Sequence, residues 1–211
     1  MRPAGTGDPS TLPGGLQALL WQASHVRIQR LCLLGLTGAA ILAGCGSTAH
    51  SAAPDATQLR QDLAGSPPEL AALHAQANHL LDGGKTAFDA RLKALHGFPV
   101  VVNKWASWCG PCQTEFPAFQ QAAAKLGKKV AFIGIDGQDS KGAASTFLKQ
   151  FPVSYPSYND PHATIAGSIQ ASTYFPMTIY INPKGTIVFV HAGQYTSAAA
   201  VERDIRRYVL G

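Results

Sequence analysis

Leucines at 59 and 63, then at 70, 73, 80 and 81 with Ala77 between them, recur at helical spacing and predict two helices between residues 57 and 82. Ser66-Pro67-Pro68-Glu69 carries the start signals of the second helix, and Gly83-Gly84 stops it. Phe88, Leu92 and Leu95 predict a short helix that ends before Gly97. The period then changes. Pro99-Val100-Val101-Val102-Asn103-Lys104-Trp105 is a continuous β-rich run of the kind buried on both faces of a parallel sheet. Phe116, Phe119, Ala123 and Leu126 put one apolar side on a helix over 113–126, and Lys129 to Asp136 reads as a second buried strand. Helices are predicted over 143–151 and 163–169. Strands over 177–181 and 186–191 are joined by the turn Asn182-Pro183-Lys184-Gly185, and a helix over 198–210 closes the chain. The order β-α-β-α-β-β-α predicts an α/β fold, a central mixed β-sheet flanked by helices on both faces, preceded by an N-terminal helical extension.

The first fifty residues follow a different pattern. Arg27 and Arg30 precede the apolar run Leu31 to Ala43, which is short for a membrane span and suits the apolar region of a signal peptide. The run ends in Leu42-Ala43-Gly44-Cys45. That tetrad resembles the lipobox of bacterial lipoproteins, in which the cysteine is acylated and becomes the mature N-terminus. The expectation is therefore a signal peptide over 1–44 and a lipidated Cys45 followed by a flexible tether to residue 56. A helical extension over 57–84 and one domain over 85–211 complete the division. An uncleaved anchor is the alternative, and either reading places the rest of the chain outside the cytoplasm and tethered to a membrane. Residues 1–24 do not fit the short basic start of a signal peptide and read as a dispensable extension or an over-long start assignment.

Composition narrows the function without naming it. The net charge of +5 over 211 residues is spread along the chain with no basic block, which argues against a nucleic-acid partner. The four cysteines stand at 32, 45, 109 and 112; only the last two form a C-x-x-C pair, and no second pair or spaced histidines complete a zinc site. No metal or other cofactor is expected beyond the redox-active cysteine pair itself.

The pair has the context that disulfide exchange needs. One thiolate must attack and a second thiol must resolve the mixed disulfide. Two intervening residues at a helix start bring the sulfurs within bridging distance, and the helix dipole favours the anion on the first. Here a strand ending at Trp105 runs through Ala106-Ser107-Trp108 into Cys109-Gly110-Pro111-Cys112 and a helix. Cys109 is expected to be the exposed nucleophile and Cys112, one turn in, the buried resolving thiol. Pro111 lacks a backbone N–H, which costs little in the first helical turn. A purely structural bridge is the weaker reading, because closing four residues constrains the unfolded chain least.

The run from Val100 to Pro117, Val-Val-Val-Asn-Lys-Trp-Ala-Ser-Trp-Cys-Gly-Pro-Cys-Gln-Thr-Glu-Phe-Pro, resembles the thioredoxin superfamily, and within it the membrane-anchored TlpA/ResA-like thiol–disulfide oxidoreductases. The resemblance spans about residues 85–211 and implies a thioredoxin fold. It implies that Glu115 helps manage protons on the thiols, with an ordinary solvated helix carboxylate as the alternative. Asn103 stands where cytoplasmic thioredoxins carry a buried aspartate, which leaves proton transfer to Glu115 or water. Pro117 matches the helix-kinking proline. Phe175-Pro176-Met177-Thr178 matches the cis-proline loop that pairs with substrate, so Pro176 joins the catalytic set. Trp108, Gly110, Pro111 and Phe175 are expected to line the substrate face. Two departures are plain: residues 87–95 read as a helix where this branch commonly has a β-hairpin, and Lys104 replaces the usual aromatic beside Trp105.

The implied function is exchange of disulfides in extracytoplasmic proteins. Reduction is the expected direction, since Gly110-Pro111 is the dipeptide of reducing thioredoxins, and cytochrome c maturation is the best-known duty of the branch. The implied partners are protein thiols and disulfides, a membrane electron donor or acceptor, and the membrane through the lipid; a monomer is expected. The alternatives are an oxidase that donates disulfides, a peroxide-reducing relative, and a copper chaperone using the cysteine pair as a soft-metal site near Met177, His162 or His191. Tyr155, Tyr158 and Tyr174 read as core-packing residues, with lining of the site as the alternative, and the scattered histidines as surface or capping residues.

Overall fold

The computed structural model describes residues 56–211. The apolar run, Cys32, Cys45 and the tether up to residue 55 lie outside the described residues. Two short helices, α1 (Ala56–Asp62) and α2 (Pro68–His74), lead to β1 (Leu80–Leu81) and α3 (Gly84–Ala94). Next come β2 (Val100–Trp105), α4 (Gly110–Leu126), β3 (Ala131–Gly137), α5 (Lys141–Gln150), β4 (Ser157–Asp160) and α6 (Thr164–Ser168). β5 (Met177–Ile181) and β6 (Ile187–Ala192) form a hairpin, and α7 (Ala198–Ile205) runs into a five-residue π-helical stretch, Arg206–Leu210.

The strands form one sheet in the order β1-β4-β3-β2-β5-β6. β1, β4, β3 and β2 are mutually parallel; β5 is antiparallel to β2, and β6 to β5. β2 and β3, buried along their whole length, are the continuous apolar runs of the sequence. Pleating sends Val101 and Trp105 to one face, where they pack with α4, α5 and α7 through Phe116, Phe119, Phe147, Val201 and Ile205. Val100 and Val102 go to the other face, against Leu70, Leu73, Phe88 and Ile165 from α2, α3 and α6. This is the thioredoxin fold expected from the sequence, with α4 starting where β2 ends.

The leucine stripe is read differently by the chain than by its spacing. α2 stops at His74, and Asn78 turns the backbone with φ of 62° while its amide bonds Leu148 O and Val153 N. Leu80 and Leu81 then pair with Ser157 and Tyr158 as a sheet edge. A two-residue strand is too short to show a period, and β4, Ser-Tyr-Asn-Asp, has no apolar run to announce it. α3 is a helix, as its spacing predicts. Tyr155 and Tyr158 are buried, whereas Tyr174, expected to pack in the core, is exposed.

Trp105 ties β2 to α4, α5 and β4. Its ring lies 4.7 Å from that of Phe147 and 5.4 Å from that of Phe116, and Nε1 donates to Ser157 Oγ at 3.1 Å. Gly134 makes this approach feasible, since a Cβ there would fall 2.1 Å from Ser157 Oγ. Ser157→Ala should leave the indole N–H buried without an acceptor and cost about 1–3 kcal/mol. Urea unfolding checks this as a lower midpoint at unchanged slope.

Candidate active site

The chemistry gathers at the C-terminal end of β2. Cys109 is the N-cap of α4, and Gly110 and Pro111 fill its first turn. Cys109 and Cys112 are joined as a disulfide with Cα atoms 5.3 Å apart, and Cys109 Sγ accepts from Cys112 N at 3.1 Å. The Cys112 N–H in the first turn therefore points at the sulfur that would carry negative charge when reduced. Cys112 is fully buried, in line with its expected place. Cys109, expected to be exposed, is only 4% exposed in this oxidised state, because its sulfur is turned onto the first turn of α4. Gly110 and Pro111 are exposed around it.

The approach to the pair is held by the loop after β3. Asp139 accepts from Ser107 N at 2.6 Å, and Trp108 Nε1 donates to Gln138 O at 3.2 Å. Trp108 is thereby presented to solvent at 57% exposure, its ring 4.8 Å from that of Phe175. The Phe175–Pro176 bond is cis, as the sequence predicts, and Pro176 is buried at the entrance to β5. Trp108 and Phe175 pair as an aromatic surface beside Cys109, and Tyr174, the residue before Phe175, is exposed.

Glu115 lies one turn beyond Cys112 on α4 and is fully buried, so the solvated-carboxylate alternative fails. One oxygen accepts from Asn103 Nδ2 at 2.7 Å and the other from Tyr195 N at 3.0 Å. Burial raises its pKa to about 7, against those two hydrogen bonds, which lower it. Asn103, the neutral replacement noted in the sequence, thus acts as a donor to the nearby carboxylate. A second buried carboxylate, Asp136 at the end of β3, is also raised to about 7, mainly by burial. It accepts from Asn159 Nδ2 at 3.0 Å on one oxygen, and the other has no partner.

Several of these residues escape sequence reading. Tyr195 lies eighty positions from Glu115 and carries no local signal. Asp136 looks like the polar end of a strand. Lys104 shows only as an odd residue in an apolar run, yet it is fully buried.

Residues 74–190 match the AhpC/TSA family. The chain is 32% identical over 108 residues to the thiol-disulfide oxidoreductase ResA of Bacillus subtilis (strain 168), covering 51% of this chain and 60% of ResA. It is 33% identical over 100 residues to the thiol:disulfide interchange protein DsbE homolog of Paracoccus denitrificans (strain Pd 1222), covering 44% of this chain and 50% of the homolog. The matched region thus spans less than two thirds of these curated relatives. Among solved structures, MTB DsbF in mixed oxidised and reduced forms superposes with a TM-score of 0.51 at 28% identity, over 55% of this chain and 84% of DsbF.

Proposed function

This chain belongs to the AhpC/TSA family, and from that premise we propose that it is an extracytoplasmic thiol–disulfide oxidoreductase that reduces protein disulfides through Cys109 and Cys112. The observation that carries the reading is the redox pair itself: a disulfide capping α4, with a buried carboxylate one turn beyond and a cis-proline loop beside it. The names of the ResA and DsbE-type relatives describe the same chemistry.

The reduced enzyme begins with the Cys109 thiolate at the N-terminus of α4. Its sulfur attacks one sulfur of the substrate disulfide, the substrate S–S bond breaks, and one substrate thiolate leaves and takes up a proton. Cys112 then gives its proton to Glu115, and its thiolate attacks Cys109 Sγ. The mixed disulfide breaks, the second substrate thiolate departs, and the Cys109–Cys112 bond forms. Two electrons have passed from the pair to the substrate. A dithiol donor of the membrane resets the enzyme by the reverse exchange.

Trp108, Gly110, Pro111 and Phe175 would offer the substrate its contact surface, and Pro176 would leave adjacent backbone free to pair with an extended segment. Acylation at Cys45 would hold the domain at the membrane, at roughly 0.8 kcal/mol per buried methylene. Apocytochrome c disulfides are the first substrate class to test.

The reduction potential of the chain, equilibrated against a dithiothreitol series, tests the direction. A strongly reducing value, near or below about −230 mV, is expected for a reductant. A value near the oxidising end makes the protein a disulfide donor, and absence of a reversible two-electron couple refutes the reading.

A further inference from the structure

Lys104 is a lysine in the centre of a sheet, and all its donors are accounted for. Its ammonium donates to Ala171 O at 2.7 Å and to Tyr174 O at 3.0 Å, and it sits 3.7 Å from the centroid of the Phe175 ring. An ammonium has three N–H groups, and here two carbonyls and one aromatic face receive them. Those three acceptors all belong to the segment 171–175, which leads into Pro176 and contains exposed residues 172–174. Asp160 supplies the nearby negative charge while its oxygens accept from Ile165 N and Ala166 N, which ties the start of α6 to the same locus.

The space around this clamp is closed. Gly137, at the end of β3, has no Cβ; one placed there would lie 3.1 Å from Phe175 Cζ and 3.3 Å from Lys104 Cε. Phe175 therefore touches both the Lys104 ammonium and the Trp108 ring. Trp108 is the residue before Cys109.

We propose that Lys104 is a positioning residue that fixes the segment 171–176, and with it the Phe175 ring and Pro176, at the distance from the disulfide that a polypeptide substrate requires. This rests on the thiol–disulfide reading above and adds to it a determinant of substrate class. A protein disulfide must lie along the loop to react, and needs the clamp. A small disulfide reaches the sulfurs without touching the loop, and does not.

The test uses the full chain and the variant Lys104→Met, which keeps the unbranched stem and removes the donors. With insulin as the protein disulfide, KM should rise about tenfold at nearly unchanged kcat, while the rate with bis(2-hydroxyethyl) disulfide stays within about twofold. Hydrogen exchange of the oxidised protein should quicken in residues 172–175 and stay unchanged in β2. Gly137→Ala, which crowds both the ring and the Lys104 stem, should reproduce the insulin effect and stands in if Lys104→Met does not fold. An unchanged KM for insulin, or equal slowing with both disulfides, overturns the proposal. Should the wild-type chain reduce neither disulfide, the oxidoreductase reading fails, and hydrogen exchange alone then decides whether Lys104 holds the loop.

Discussion

Cys109→Ser should lose reduction of a protein disulfide by a factor of roughly 10⁴ or more, since a hydroxyl at this pH offers no anion to attack sulfur. Cys112→Ser should behave differently. Its first attack remains, but nothing resolves the product, so a mixed disulfide between Cys109 and the substrate accumulates and is read directly by mass spectrometry. The asymmetry follows from position: Cys109 caps the helix and receives an N–H, whereas Cys112 is wholly enclosed. Neither loss reports unfolding. In the chain-entropy account, closing a loop this small stabilises the fold by only about 2 kcal/mol, which thermal melts of the reduced wild type and both variants will show. Trapping through Cys112 instead of Cys109 would reverse the assigned roles.

Glu115→Gln should flatten the dependence of stability on pH. The wild-type carboxyl titrates near 7 in the folded chain against an ordinary 4.5, because burial disfavours its anion more than Asn103 and Tyr195 favour it. Below pH 4.5 both folded and unfolded chains hold the proton and the contribution is fully present. As the pH rises the unfolded chain releases its proton first, so stability falls until about pH 7 and then levels. The loss from this one group is on the order of 3 kcal/mol. Asp136 adds a loss of the same sign between its ordinary 3.8 and about 7, so Asp136→Asn is the necessary companion. Glutamine is a clean replacement here: the Asn103 amide can reverse, and its now unpartnered Oδ1 would accept from the new amide. Urea unfolding of the wild type and both variants at pH 4 and pH 8 measures the effect. Equal wild-type stability at the two pH values would rule out a buried neutral Glu115. In turnover, the same substitution should remove a pH break near 7, the outcome that tests the proposed transfer of the Cys112 proton to Glu115.

How far the sequence carries depends on whether a residue's partner is close in the chain. The strand from Val100, the cysteines and the start of α4 are contiguous, and their joint chemistry is readable from the order of residues alone. The cis bond at Phe175–Pro176 is legible through resemblance. Glu115 shows the limit: its place on the helix is readable, but its burial is set by Asn103 and by the backbone of Tyr195, and only the folded chain brings those together. Lys104 shows the limit more sharply. A charged residue in an apolar run looks like an interruption, and the carbonyls that stabilise it come from a segment sixty-seven and seventy positions away. β4 is invisible for another reason. Its identity as a strand comes from pairing with β3 and β1, not from any period of its own.

β1 has a bearing on how the protein survives outside its fold's interior. Two residues of backbone cover the outer side of β4 and leave an edge too short to template another chain. Leu70 and Leu73, from the helix before it, are fully enclosed in the same core as β2 and β3. A piece of the chain that began after Leu73 would therefore lose part of that core and uncover the outer side of β4, so the helical extension belongs to the folded unit of the domain it precedes.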